Sequence, residues 1–135
     1  MTTSFVDAGV LIAANRSGTP LGDRALAVLA DPSRVFASSE FVHLEVMPKA
    51  VYNRRAAEVA FYRAFFEEQV GIWAEADRLL ANWASNFAER YGLAAMDALH
   101  VAAAVLIYAD ELITTERPEK PIHRVSELRI VTLYE

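Results

Sequence analysis

Leu93-Ala94-Ala95-Met96-Asp97-Ala98-Leu99-His100-Val101-Ala102-Ala103-Ala104 is the stretch on which the fold turns. From Ala94 to Tyr108 the chain is apolar nearly all round, and a helix of that composition lies buried in the centre of a domain. Asp97 falls in its first turn. An ionised carboxylate on such a helix is costly unless something pairs with it, so Asp97 is either an acid favoured by the helix N-terminus or part of a site. His100, one turn on, reads as a hydrogen-bonded core histidine standing behind the acid.

Outward from that helix, short strands alternate with longer helices, the pattern of an α/β domain with a parallel sheet. Ser4-Phe5-Val6 predicts a first strand and Val10 to Ala14 a helical turn after it. Thr19-Pro20 predicts an N-cap followed by proline at the first helical position. Arg34 to Ala37 reads as the second strand, and Ser38 or Ser39 as the cap of a helix carrying Phe41, Leu44 and Glu45. Pro48 is expected to kink or divide that helix, and Asn53 to cap another running to about Glu68. Gly71-Ile72-Trp73 reads as a brief strand. Asp77 is expected to cap a helix that reaches Tyr91 and stops at Gly92. Leu112 to Thr115 and Ile130 to Leu133 are the remaining strands. The loop between them holds Pro118 and Pro121, with at most a short helix near Val125 to Leu128.

A length of 135 residues suits one domain, spanning 1–135. Hydrophobic residues make up 54% of the chain, a rich supply. Phe61, Tyr62, Phe65 and Phe66 crowd one helix with more aromatic surface than a single core-facing stripe needs, so a homodimer or another protein is expected to cover part of it. The absence of cysteine excludes disulfides and thiolate zinc sites. The beginning lacks the regions of a signal peptide, and no apolar run approaches the roughly 20 residues needed to cross a bilayer. A soluble cytoplasmic protein with no membrane contact is the expectation. The net charge of −5 argues against a broad basic surface for nucleic acid. Local basic groups remain: Lys49, Arg54, Arg55 and Arg63, and again Arg117, Lys120 and Arg124. The Arg54-Arg55 pair alone reads as a solvated helix face.

Four acids fall at comparable places. Asp7 directly follows the first strand and Glu116 the Leu112–Thr115 strand; Glu45 lies on the helix after the second strand, and Asp97 at the start of the buried helix. In a parallel sheet the C-terminal strand ends open on one edge, where ligands bind at the topological switch point. If the first strand and the Leu112–Thr115 strand are neighbours, Asp7 and Glu116 face each other there. A few carboxylates without sulfur or histidine suit magnesium or manganese, which prefer oxygen ligands and keep several waters. Taken singly, Asp7 could be a helix cap, Glu45 an exposed helical acid and Glu116 the start of a polar loop.

Phe5-Val6-Asp7-Ala8-Gly9-Val10-Leu11-Ile12 resembles the opening signature of PIN domains. Glu40 to Val46 resembles their second acidic motif, Leu93 to Ala104 the third and most specific, and Leu112-Ile113-Thr114-Thr115-Glu116 the fourth. The order and spacing agree over essentially the whole chain. The resemblance implies a doubly wound parallel sheet of order 3-2-1-4-5 flanked by helices. It further implies magnesium- or manganese-dependent cleavage of RNA phosphodiester bonds by the toxin of a VapBC-like toxin–antitoxin pair, with a cognate antitoxin as partner. It carries Asp7, Glu45, Asp97 and Glu116 over as the metal-binding, catalytic pocket. Two departures stand out. Gly9 replaces a small polar residue that would support Asp7, and Glu116, with its longer side chain, replaces the more usual aspartate and is expected to reach the metal through water. Thr115 is then a hydroxyl donor to water at the metal.

Other classes fit less well. A PIN fold kept as a binding module, without turnover, would still bind magnesium. A phosphoacceptor receiver domain needs a nucleophilic aspartate after a central strand, whereas Ile72-Trp73 is followed by Ala74-Glu75. An Asp-x-Asp phosphatase fails at Asp7-Ala8-Gly9, and a flap nuclease would need a clamp insertion for which the chain has no spare length.

Overall fold

Beginning at the N-terminus, strand β1 (Thr2–Val6) passes through Asp7 into helix α1 (Ala8–Asn15), and Thr19 caps helix α2 (Pro20–Leu29) by accepting the Gly22 amide. Strand β2 (Arg34–Ser38) leads through Ser39, whose hydroxyl accepts the Phe41 amide, into helix α3 (Glu40–Tyr52). Helix α4 (Ala56–Ala64) runs on into a π-helical turn (Phe65–Gln69) and strand β3 (Val70–Trp73). Helix α5 (Arg78–Tyr91) starts on the Asp77 cap and ends at Gly92, whose φ of 70° is the left-handed conformation that glycine adopts without a Cβ penalty. Helix α6 (Ala95–Leu106) precedes strand β4 (Glu111–Thr114); a 3₁₀ turn (Pro121–Arg124) and strand β5 (Arg129–Thr132) follow. This is a computed structural model describing residues 1–16 and 18–135.

All strand pairs are parallel, in the order β3-β2-β1-β4-β5. That is the expected 3-2-1-4-5 sheet with flanking helices. The order reverses at β1, where β2 lies on one side and β4 on the other, with Val6 opposite Ile113. The condition set by the four acids is therefore met: the strands preceding Asp7 and Glu116 are direct neighbours. The core joins Phe5 and Val6 of β1 and Leu112 and Ile113 of β4 to Val10 and Leu11 of α1, Leu80 and Phe87 of α5 and Val101 of α6, all essentially inaccessible. Helix α6 buries Ala98, His100 and the run Val101–Ala104, as its all-round apolar sequence requires.

Several local expectations are corrected. Pro48 does not divide its helix, since α3 continues through it to Tyr52. Asn53 closes α3 rather than opening α4, whose N-cap is Arg55 without a side-chain hydrogen bond. Arg54, with φ of 54°, makes the turn between the two helices, so Arg54-Arg55 is a corner and not a helix face. The short helix after β4 falls at Pro121–Arg124 instead of Val125–Leu128, because Pro121 is set for a first helical position and Ile122 is drawn into the core. The aromatic surplus is also reassigned. Tyr62, Phe65 and Phe66 are buried, with Phe36 edge-on to Phe65 and His43 against Phe66, while Phe61 is half-buried, so of the four rings it alone keeps surface for a partner.

Candidate active site

At the opposite, N-terminal edge of the sheet one acid has a purely structural setting. Glu111 is buried, accepts the Ser4 hydroxyl at 2.7 Å and is ion-paired with Arg34. None of the four acids singled out in the sequence pairs with a lysine or arginine among the described residues, and Glu45 alone has an imidazole partner, His100. Asp7, Glu45, Asp97 and Glu116 instead line a single small cavity, of about 70 Å³, together with Ala8, Gly9, His100 and Thr115.

Each acid is aimed by its own element. The Asp7 amide donates to the Ile113 carbonyl at 3.1 Å, extending the β1–β4 ladder one step, while its Oδ1 accepts the Val10 amide at 3.2 Å as the N-cap of α1. Asp7 thus caps α1 and lines the cavity at once. Glu116 is pinned through its main chain. Its amide donates to Thr114 Oγ1 at 3.1 Å, its carbonyl accepts the Thr132 hydroxyl at 2.6 Å, and His123 Nε2 lies 3.2 Å from that carbonyl. Glu45 projects from α3 and is hydrogen-bonded to Nε2 of buried His100 on α6. The other ring nitrogen, Nδ1, has no partner among the described residues. Placing the imidazole proton on Nε2, facing the carboxylate, spares the site a buried donor without an acceptor.

The electrostatics record the convergence. Burial pushes the Asp7 carboxyl up to about 6, against the opposing pull of the Thr114 hydroxyl, the His100 ring and the Val10 amide, and Asp97 adds to the rise. Asp97 is raised too, first by desolvation and then by the charges of Glu116 and Glu45, with His100 opposing. Three of the four acids thus raise a neighbour: Asp97 acts on Asp7, and Glu116 and Glu45 act on Asp97.

The pocket is not a closed ligand cage. Among the described residues, no three His, Asp or Glu side chains draw together tightly enough to hold one ion by themselves. That arrangement fits a magnesium-like cation better than it fits zinc. Magnesium is typically held by one or two carboxylates and keeps several waters, and the cavity has room for an ion with a water or two at about 30 Å³ per water. Asp7 and Asp97, the two acids whose carboxyls burial raises above their ordinary range, are the pair whose charge a cation there would most relieve.

Two residues matter more to the site than their sequence context suggests. His100, expected only behind Asp97, is the partner of Glu45, and Thr114, to all appearance a plain strand residue, has a buried hydroxyl that ties Glu116 to Asp7. A hydroxyl residue two places before an acid at a strand end is the signal that points to Thr114.

A parallel sheet with an acidic crevice at its switch point defines an α/β domain of the ligand-binding, doubly wound kind. The chain belongs to the PIN domain family, whose model matches residues 4–118. No curated protein sequence matches it. Among solved structures it is similar to a toxin–antitoxin complex from Klebsiella pneumoniae, at 25% identity and a TM-score of 0.72 over 98% of both chains. It is also similar to VapBC2 from Rickettsia felis bound to a DNA fragment from their promoter, at 16% identity and TM-score 0.70, over 96% of this chain and 97% of that one. A third is Mycobacterium tuberculosis VapC20, a toxin that cleaves the sarcin-ricin loop, at 20% identity and TM-score 0.68, over 93% of this chain and 98% of that one. No helix of the described residues is long and apolar enough to cross a membrane.

Proposed function

We propose that the protein is a magnesium- or manganese-dependent endoribonuclease acting as the toxin of a type II toxin–antitoxin pair. The observation that carries this reading is the single cavity at the β1–β4 switch point lined by Asp7, Glu45, Asp97 and Glu116, in a chain of the PIN family. Asp7 and Asp97 would hold the cation. Glu45, steadied by His100, and Glu116, fixed at its main chain by Thr114, Thr132 and His123, would orient water around it. Thr115, on the rim of the same cavity, would donate its hydroxyl to a phosphate oxygen or to water. A bound divalent ion supplies the Lewis acid that polarises the phosphate and lowers the pKa of the attacking water. An antitoxin is the natural partner, because related folds occur in toxin–antitoxin complexes. With Tyr62, Phe65 and Phe66 buried and Phe61 half-buried, a homodimer or an antitoxin would draw mainly on the exposed apolar side chains of α3 (Leu44, Val51, Tyr52) or α5 (Leu79, Trp83).

The test is cleavage of a mixed RNA pool with manganese, with chelator as control. Asp97→Asn is expected to abolish cleavage while the fold survives, and Glu116→Gln to lower it less. Undiminished cleavage by Asp97→Asn sinks the assignment. The departures at Gly9 and Glu116 favour one second reading, a PIN fold retained as a binding module; manganese binding by the parent without cleavage of any RNA would select it.

A further inference from the structure

A second cavity, of about 250 Å³, opens beside the acidic pocket and shares Glu45 with it. It is bounded by Ile12 and Arg16 of α1, by Glu45, Val46, Lys49 and Ala50 of α3, and by Asn53, Arg55, Glu58 and Tyr62 beyond. Both helices lead away from the acids. Helix α1 passes from Ala8 and Gly9 on the acidic pocket to Arg16, two turns on, while α3 passes from Glu45 to Lys49 one turn on and reaches Asn53 at its end. At 1.5 Å per residue, Lys49 is displaced about 6 Å along the helix from Glu45, on the scale of a single nucleotide step. The charge therefore changes sign over the length of a short piece of nucleic acid strand.

The cations of this cavity are available. Arg55 lies 3.8 Å from Glu58, which also accepts the Tyr62 hydroxyl at 2.7 Å, so that pair offsets itself. Arg16 and Lys49 are exposed and have no ion-pair or side-chain hydrogen-bond partner among the described residues. In a chain of net charge −5, two uncompensated cations on a concave surface next to a cluster of acids call for an anion. The apolar floor of Ile12, Val46 and Ala50 suits a sugar or base face, and Asn53 offers both a donor and an acceptor.

We infer that this cavity is a phosphodiester-binding subsite of the RNA strand, in which Arg16 and Lys49 grip the phosphate flanking the bond that lies in the acidic pocket. The inference rests on the ribonuclease reading. It accounts for how an acidic protein holds a polyanion: not through a broad basic face, but through a few cations placed one step from the reacting phosphate. Because a flanking phosphate is held alike before and during bond breaking, the subsite contributes to KM and leaves kcat unchanged.

The experiment compares the parent with Arg16→Ala, Lys49→Ala, the double variant and Arg129→Ala, an exposed cation on β5 remote from the cavity. Binding of a fluorescent single-stranded oligoribonucleotide is measured in chelator over a range of salt, and cleavage kinetics are measured with manganese. Each cavity variant is expected to bind roughly three- to tenfold more weakly. Each should also lower the slope of log K against log salt by about 0.7, the share of one single-strand phosphate. KM should rise by a matching factor with kcat within about twofold, and Arg129→Ala should change neither. Cavity variants that behave like Arg129→Ala, or that lose kcat at constant KM, overturn the subsite while cleavage by the parent leaves the nuclease reading standing. A parent that neither binds RNA in chelator nor cuts it with manganese overturns both. Where the parent cuts but binds too weakly in chelator to measure, the KM comparison decides.

Discussion

Gly9 and Thr115 compete for one space. A Cβ built on Gly9 would come within 2.4 Å of the Thr115 hydroxyl oxygen and 3.3 Å of Asp7 Oδ1, so the Thr115 hydroxyl fills the space that a side chain at position 9 would need. The departure at Gly9 is thus matched by Thr115, which no reading of either residue alone could reveal, because the two meet only across the β1–β4 pairing. Gly9→Ser should overpack this corner, lowering stability by about 1–3 kcal/mol and slowing cleavage. Gly9→Ser with Thr115→Ala should recover at least half of both losses, because the alanine removes the clashing oxygen and the serine restores a hydroxyl near Asp7. Melting and cleavage of the two singles and the double form the cycle; strictly additive losses would contradict the exchange. His100 gives a second case. Its hydrogen bond holds Glu45 towards the pocket, so His100→Ala should weaken manganese binding about tenfold or more, in line with other residues that orient a metal's ligands. A titration in which His100→Ala binds manganese as the parent does would reduce His100 to core packing.

Elements were legible where one strong signal settled them. The Thr19-Pro20, Ser39, Asp77 and Gly92 boundaries all hold, since each rests on a cap made within a few residues. The corrected boundaries lie where tertiary packing overrides the local code. Helix α3 runs on through Pro48 although proline removes one hydrogen bond and crowds the preceding turn, because Val46, Met47 and Ala50 on either side of it are buried. The helix therefore carries a local penalty that its packing offsets. Pro48 itself is exposed, so Pro48→Ala should restore the bond to the Leu44 carbonyl without opening a cavity. It is expected to stabilise the protein by about 1–3 kcal/mol, somewhat less than the full interior-proline penalty because the turn has already adjusted. Denaturant unfolding measures it, and an unchanged or lower midpoint would mean that α3 depends on the proline. The aromatic run of α4 misled for a related reason. Four rings in six residues exceed what one helix stripe buries, but here the helix tightens into a π turn that swings Phe65 and Phe66 into the core beside β2, and no periodicity of 3.6 anticipates that.

At the scale of the whole molecule, the site sets itself against the fold. Four carboxylates are gathered at the switch point with no lysine or arginine among the described residues paired to them, and the carboxyl of Asp7 is pushed up to about 6, chiefly by burial. A folded pKa raised above the unfolded value near 3.8 means that the native state binds this proton more tightly than the unfolded chain. The associated stability is present below about pH 4 and is lost as the pH rises through 6. At neutral pH the loss amounts to about 3 kcal/mol, because each tenfold difference in proton affinity is worth about 1.4 kcal/mol. That is a sizeable share of the roughly 5–15 kcal/mol that stabilises a small domain. Asp97, raised by burial and by the charges of Glu116 and Glu45, acts in the same direction. Asp7→Asn should therefore stabilise the metal-free protein. Asparagine caps a helix about as well as aspartate, so the Val10 hydrogen bond need not be lost with the charge. The gain over the parent should be near zero at pH 4, grow between pH 4 and 6, and level off above. Manganese should close the gap from the other side, stabilising the parent at pH 7.5 by mass action and Asp7→Asn much less. The measurement is a set of thermal melts of both proteins at several pH values, in chelator and in millimolar manganese. A parent that shows no manganese shift, paired with an Asp7→Asn protein that is less stable at every pH, would mean that Asp7 serves the fold as a cap and not the pocket as a ligand.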